Sequence, residues 1–295
     1  MTAPAVPLVP AHARLFVPGL FVFLWSTGFI FGKVGVAYAE PFTLLSIRFA
    51  VVTLLMLAIA LATAAPWPAS TRQKAHYAVV GVLLHGGYLG GIFAALEVGL
   101  SPAVAALIVG LQPLLTATVV GPLLGERVTP RQWLGLALGF AGVAMVLSNK
   151  LAFDRAGLAG IAFATLSLVG ITGATLYQKR YCAAMDWRSG AVVQYAAAAV
   201  AVAVVALLTE QGRVLWTGDF IFAMTWLVLV LSVGAVGLLN LLIRRGAAAR
   251  VASLFYLVPP MAALEAYLIF GETLGPAALL GMGLAAVGVA LVNRP

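Results

Sequence analysis

The sequence predicts an all-α integral membrane protein: ten transmembrane helices, arranged as two inverted five-helix repeats around a central cavity. Three observations predict it. First, hydrophobic residues make up 63% of the chain and charged residues only 9%, where a soluble domain carries about a quarter charged residues. Such a chain cannot present a charged surface to water on every side, so most of its solvent is lipid. Second, apolar stretches of about 20 residues, the length that spans a bilayer, recur along the whole chain. Third, one phrase is written twice. "GPLLGERVTPRQWLGLALG" near residue 125 and "YLIFGETLGPAALLGMGLA" near residue 271 share a Gly-Glu, a following proline and a glycine-spaced apolar run.

The expected spans lie at 15–37, 42–64, 76–98, 102–122, 131–148, 157–180, 190–210, 219–243, 249–270 and 275–292. Their apolar runs are continuous rather than alternating, which favours helices over strands. Hydrocarbon also requires every backbone group to find an internal partner. Glu40-Pro41, Ser101-Pro102 and Thr129-Pro130 place proline at the first helical position, where its missing N–H costs nothing. A Pro-rich tail (1–14) precedes the first repeat (15–148), and a linker (149–156) leads into the second (157–292). "AYA" at 37–39 resembles a cleavage site, but the apolar stretch before it is too long for a signal peptide and contains Lys33.

Orientation follows from the basic residues of short loops. With the N-terminus in the cytoplasm, twelve fall inside: Arg14, Arg72, Lys74, Arg127, Arg131, Lys179, Arg180, Arg188, Arg244, Arg245, Arg250 and Arg294. Four fall outside (Lys33, Lys150, Arg155 and Arg213), and Arg48 lies within span 2. The net charge of +8 therefore reads as topology. No basic run with interleaved aromatics points to nucleic acid. The single Cys182 excludes an internal disulfide.

The repeat has a fixed period. A shift of 146 residues carries Gly125-Glu126 onto Gly271-Glu272, Pro130 onto Pro276, Gly135 onto Gly281 and Gly142 onto Gly288. The same shift lays "WSTGFIFGK" (25–33) over "ITGATLYQK" (171–179), while Pro113 and Pro260 differ by 147. Each half holds five spans, an odd number, so the second half enters the membrane upside down. Inverted repeats commonly build secondary transporters whose site lies at mid-membrane between the halves. A duplication retained only for stability is the alternative.

"LWSTGFIFGKVGV", "SIRFAVV", "LLGERVTPRQWLGLALGFAGVAMV" and "LVPPMAALEAYLIFGETLGPAALLGMGLAAVGVALV" resemble the drug/metabolite transporter superfamily, EamA type. Within it the chain is similar to amino acid exporters of the YddG type. The resemblance covers roughly residues 15–292. It implies a cavity lined mainly by spans 1, 3, 4, 6, 8 and 9, with spans 2 and 7 at the sides, spans 5 and 10 as buttresses, and transport by alternating access.

The candidate binding residues follow from helical geometry. In span 3, "LLHGGYLGGIF" places His85, Tyr88 and Ile92 on one face and Gly86, Gly87, Gly90 and Gly91 on the other. Overlapping GxxxG patterns let a neighbour approach the glycine face, which turns His85 and Tyr88 toward the cavity. His85 could instead bond a carbonyl between helices; it could also carry a proton. Trp25 and Ser26 in span 1, Gln112 in span 4, Tyr177 in span 6, Asn240 in span 8, and Ser253 and Tyr256 in span 9 complete the binding set, each with ordinary packing as its alternative. Pro113, Pro259 and Pro260 break spans 4 and 9 and read as hinges or as static kinks. Glu265 reads as a proton-coupling or gating group, or as a snorkelling or ion-paired side chain near the outer interface. Glu126 and Glu272 read as caps of the 4–5 and 9–10 turns, and Glu97 as solvated. The small-residue stripes of spans 5 and 10 read as packing or dimerisation surfaces.

The expected function is secondary export of aromatic or other neutral amino acids and related metabolites. Quaternary-ammonium drugs, nucleotide sugars, and a channel or scaffold role are the alternatives. Span 1 lacks the membrane-embedded Glu of small multidrug transporters, and a phosphate-bearing substrate would need several interior cations. No HExxH, GxSxG or P-loop motif is present, so no enzyme is expected. His12, His76 and His85 make no ligand cluster, so neither metal nor cofactor is expected. The expected partners are a small-molecule substrate and membrane lipid, with monomer and homodimer both open. The Ala/Val/Gly/Leu-rich, Lys-poor composition suggests a bacterial inner membrane, with both termini cytoplasmic.

Overall fold

The computed structural model describes residues 11–98, 100, 102–148, 157–270 and 274–294. Residues 1–10 of the expected tail (1–14), the linker (149–156), Glu272, and the side chains of Arg14, Phe29 and Lys33 lie outside the described residues, while residues 11–14 already belong to the first helix. Helices account for the described chain apart from short connections and one isolated antiparallel bridge, Ala39 to Val214.

Span 1 is α1 (Ala11–Val36) and span 2 is α2 (Pro41–Ala62). Span 3 is α3 (Thr71–Gly81), a π-helical segment (Val82–Leu89) and α4 (Gly90–Glu97). Span 4 is α5 (Pro102–Val109) and α6 (Gln112–Leu124), and span 5 is α7 (Pro130–Leu147). Span 6 is α8 (Gly157–Tyr181) and span 7 is α9 (Trp187–Thr209). Span 8 is α10 (Gly218–Trp226), a second π segment (Leu227–Ala235) and α11 (Val236–Arg245). Span 9 is α12 (Ala248–Ser253), a 3-10 turn (Leu254–Leu257) and α13 (Val258–Phe270), and span 10 is α14 (Pro276–Asn293).

Among the described residues, nine helices are long and apolar enough to cross a membrane. The ninth expected span is not among them, although its three pieces run without a gap from Ala248 to Phe270. No qualifying span is more than half buried inside the protein, and Leu158, Leu207 and Leu208 are 84%, 84% and 79% exposed. Side chains of this kind on the outer surface suit a lipid solvent.

Local chemistry explains the helix starts. Pro41, Pro102, Pro130 and Pro276 each open a helix. Span 3 starts earlier than expected because Ser70 caps it, accepting from the Gln73 N–H. Thr129 and Gln132 form a reciprocal capping box before α7.

The two halves repeat in three dimensions. The π segments end on equivalent residues, Leu89 and Ala235, under the 146-residue shift. α7 and α14 pack along their glycines. A Cβ on Gly135 would stand 2.6 Å from Gly288 O, and one on Gly142 would stand 2.6 Å from Gly281 O. The repeat shift turns one of these contacts into the other with the partners exchanged, which is the signature of a two-fold relation. The pairing rises along one helix and falls along the other, so α7 and α14 are antiparallel and the halves are inverted. Another exchanged pair is Gly170 against Tyr88 N and Gly234 against Leu24 Cδ1. The small-residue stripes of spans 5 and 10 are thus occupied within the chain, which removes them as a free dimerisation surface.

The described basic side chains outside the interior collect at the face that carries the ends of α1 and α14. Arg131 there reaches Leu291 O, and Arg180 reaches Leu123 O. Arg213 is the exception, held at the opposite face beside Glu40.

Candidate substrate site

The site is built where the π segments of the two halves face span 2. A π turn shifts the backbone bonds to i→i+5 and often marks a functional position. The first π segment buries His85 and Tyr88, and the second buries Ser232, whose hydroxyl donates to Leu227 O, five residues back. Arg48 of α2 reaches between them. It is 7% exposed, and its Nε donates to Ser232 Oγ at 3.1 Å. Its guanidinium lies 5.9 Å from the Phe49 ring. The His85 imidazole stacks on Tyr195, with centroids 4.1 Å apart and planes at 19°. Tyr195 donates its hydroxyl proton to Ser232 O at 3.0 Å. His85 is 2% exposed and its Nε2 has no hydrogen-bond partner.

No carboxylate of the described residues pairs with Arg48. An arginine at mid-helix in a membrane costs about 2.5–3.5 kcal/mol on insertion scales, and a buried charge ordinarily requires a partner. The rings of His85, Tyr195 and Phe49 shield this one without neutralising it.

A second polar group joins α1 to α13. Ser26 Oγ lies 2.6 Å from Glu265 Oε1, and Glu265 is 5% exposed with Oε2 unpartnered. The neighbouring Trp25 packs edge-on against Phe255 at 5.3 Å and lies close to the Tyr88 side chain. The two groups are therefore continuous across spans 1, 2, 3, 8 and 9. Gln178 Nε2 donates to Asn240 Oδ1 at 2.7 Å, joining spans 6 and 8, and leaves its own Oε1 unpartnered. Gln112 stands at the break between α5 and α6 with Oε1 likewise unpartnered. Buried polar atoms are rarely left this way. Each leaves hydrogen-bonding capacity inside the bundle.

Comparison with known proteins fits this architecture. The model of the EamA-like transporter family matches residues 18–148 and again 158–294. The chain belongs to the EamA-like transporter family. As an EamA-like transporter it carries the family's domain twice, once in each inverted half. It is 27% identical over 293 residues to the uncharacterized transporter YvbV of Bacillus subtilis, covering 97% of this chain and 93% of YvbV. It is 27% identical over 290 residues to the uncharacterized inner membrane transporter YedA of Escherichia coli K12, covering 97% of this chain and 91% of YedA. A solved crystal structure superposes with a TM-score of 0.79 at 22% identity, over 96% of this chain and 97% of the other, and so shares the fold.

The structure sorts the sequence-predicted residues of this EamA-like transporter into two sets. Trp25, Ser26, His85, Tyr88, Gln112 and Asn240 are buried in the interior. Gly91 presses against Ser167 and Phe163 of α8, as the glycine face of span 3 predicts. Tyr177 lies elsewhere: its hydroxyl meets His76 Nδ1 at 2.7 Å, beside Tyr181, near the face of the termini. Ser253 accepts from Asn293 Nδ2 of α14, and the Tyr256 ring packs on Gly139 of α7. Spans 5 and 10 thus occupy that face of span 9. Ser253 and Tyr256 share that face, as their i, i+3 spacing predicts, and the 3-10 turn at 254–257 keeps them aligned; its neighbours are spans 5 and 10, and Phe255 is the residue that meets Trp25.

Glu265 does not snorkel; it is buried against Ser26. Glu126 does not cap its own turn. Gly125, at φ +70°, ends α6, while Glu126 accepts from the Ala248 N–H at the start of α12 and pairs with Lys179 at 2.6 Å. Glu97 is exposed at the end of α4, as expected. Span 4 is interrupted at Gly110-Leu111, just before Pro113, and span 9 by the 3-10 turn just before Pro259-Pro260. Sequence reasoning missed Arg48 and Tyr195 as site residues. The available signal was an arginine inside an otherwise apolar span. A cavity of about 340 Å³ does open at the face of the termini, among Val17, Pro18, Arg245, Arg250, Leu254 and Asn293. It contains none of the predicted site residues.

Proposed function

We propose that this EamA-like transporter is a secondary carrier that exports aromatic or other neutral amino acids and related metabolites by alternating access. The observation that carries the reading is the character of the buried residues Trp25, His85, Tyr88 and Gln112. They are aromatic and neutral-polar, and two of them hold buried atoms without partners, His85 Nε2 and Gln112 Oε1. Such residues suit an amphipathic solute that brings its own hydrogen bonds and a ring or alkyl chain. The interruptions before Pro113 and before Pro259-Pro260 supply hinges in both halves, and a proline removes the backbone bond that would resist bending there. The termini are assigned to the cytoplasm of a bacterial inner membrane, on the collection of basic residues at their face.

A second reading rests on Glu265. A buried carboxyl with a free oxygen could pair with an organic cation, and quaternary-ammonium substrates follow from it. Counterflow in proteoliposomes tests both. Vesicles loaded with unlabelled amino acids should accumulate labelled phenylalanine or threonine. Accumulation of a quaternary-ammonium probe instead, with none of the amino acids, would replace the first reading by the second.

A further inference from the structure

We propose that Arg48 is the receptor for a substrate carboxylate. The proposal rests on the amino acid reading for the identity of the substrate, but the anion site stands on its own observations. Arg48 is buried, and among the described residues its one side-chain hydrogen bond runs through Nε to Ser232. Neither Asp nor Glu among the described residues neutralises it. The Nε tether fixes the plane of the guanidinium, because Ser232 is itself held by the second π segment. The tether leaves both terminal nitrogens to form the two-pronged donor that matches a carboxylate.

The neighbours argue for one negative charge on an otherwise apolar or aromatic molecule. His85 and Tyr195 form a flat stacked wall, and Phe49 lies against both. A phosphate or diphosphate would call for several cations, and among the described residues Arg48 is the one lysine or arginine in this group. The residues come from spans 2, 3, 7 and 8, so both inverted halves contribute. A carboxylate here would neutralise the buried charge and draw the two halves together on the same ligand.

The test uses the purified full chain and three probes: phenylalanine, phenylalaninamide and phenylacetate. Wild type should bind phenylalanine about tenfold to a hundredfold more tightly than its amide, the factor that one charge-assisted pair supplies. Phenylacetate should compete. Arg48→Gln should bind the acid and the amide alike, and Arg48→Lys should recover part of the preference. Ser232→Ala removes the tether but leaves the guanidinium, so where Arg48→Gln fails to fold it should shrink the acid-over-amide preference without abolishing it, and an unchanged preference there would count against the proposal. An undiminished preference in Arg48→Gln, or none in wild type, overturns the proposal. Phenylacetate binding that disappears in Arg48→Gln, without counterflow of any amino acid, would keep the carboxylate site and remove the amino acid reading. Amino acid counterflow with the preference intact in Arg48→Gln would do the reverse.

Discussion

Ser26 Oγ stands 2.6 Å from Glu265 Oε1 and 2.7 Å from Phe23 O, and it has a single proton to give. Both short contacts are satisfied when Ser26 donates to the Phe23 carbonyl and a protonated Glu265 donates to Ser26. The pair then joins spans 1 and 9 without a buried charge. An ionised Glu265 would compete with the carbonyl for that one proton.

Glu265→Gln tests this arrangement, because the amide can donate to Ser26 as the acid does. The expected result is normal insertion and counterflow with no response to an imposed proton gradient. Glu265→Ala, which removes the donor, should also weaken the folded protein. A gradient that still drives transport in Glu265→Gln would exclude Glu265 as the proton carrier.

The two sets of sequence-predicted residues should separate in function. His85→Ala and Tyr88→Ala are expected to reduce transport while leaving insertion intact. Tyr256→Phe removes a buried hydroxyl that has no partner, a defect worth about 1–3 kcal/mol. It should therefore leave transport near wild type and raise thermal stability in detergent. Wild-type rates in both span-3 variants would take span 3 out of the site.

Much of this fold was legible in the sequence because lipid restricts the choices. Span length, proline at helix starts, and the 146-residue period carried the architecture, while the contact of Gly135 and Gly142 with Gly288 and Gly281 came only from the packed structure. The site was legible only in part. An i→i+5 segment leaves no mark in an all-apolar run, so neither π turn could be read. Ser253 and Tyr256 do share a face, but nothing in their spacing says that spans 5 and 10 cover it. Arg48 was visible as an intramembrane charge, but no sequence rule says whether a carboxylate from another span meets it. Only the packed arrangement shows that none of the described ones does.

The glycine seam predicts a sharp contrast between two substitutions in the same pair of helices. A Cβ on Gly142 would stand 2.5 Å from Ala285 N, a backbone atom that cannot move aside. Gly142→Leu should cost at least the roughly 1–3 kcal/mol of ordinary overpacking and abolish a cooperative melt. Gly283 has nothing within 4 Å of its Cβ position, and Gly283→Leu should be tolerated. Equal melting temperatures for the two would refute the seam.

At the face opposite the termini, two carboxylates cross. Glu40, before α2, accepts from the Gln211 and Arg213 N–H groups, while Glu210, after α9, accepts from the Phe42 and Thr43 N–H groups. The bond from the Arg213 backbone is the main reason the Glu40 carboxyl is held below its ordinary value of 4.5, against a smaller opposing effect of desolvation. A carboxyl whose folded value is depressed adds stability that is present above the unfolded value and lost as pH falls through the folded one. Wild-type melting temperature should therefore fall as pH drops below 4.5. Glu40→Gln should start lower and show a shallower acid slope. Parallel slopes for the two proteins would mean that Glu40 contributes nothing to acid sensitivity.

Glu126 and Lys179 form the corresponding tie at the face of the termini, but their bonds reach beyond the ion pair. Glu126 accepts from the Ala248 N–H at 3.0 Å, and Lys179 donates to Gly246 O. Exchanging the charges preserves the attraction and destroys both backbone bonds, because lysine cannot accept from an N–H and a carboxylate cannot donate to a carbonyl. Glu126→Lys combined with Lys179→Glu should thus remain less stable than wild type and recover only the ion-pair part of the loss seen in Glu126→Lys alone. Partly exposed pairs of this kind contribute about 0.2–1 kcal/mol, so the recovery should be the smaller fraction. Full recovery in the double variant, measured by thermal unfolding, would show that the charge pair alone holds the start of α12 to spans 4 and 6.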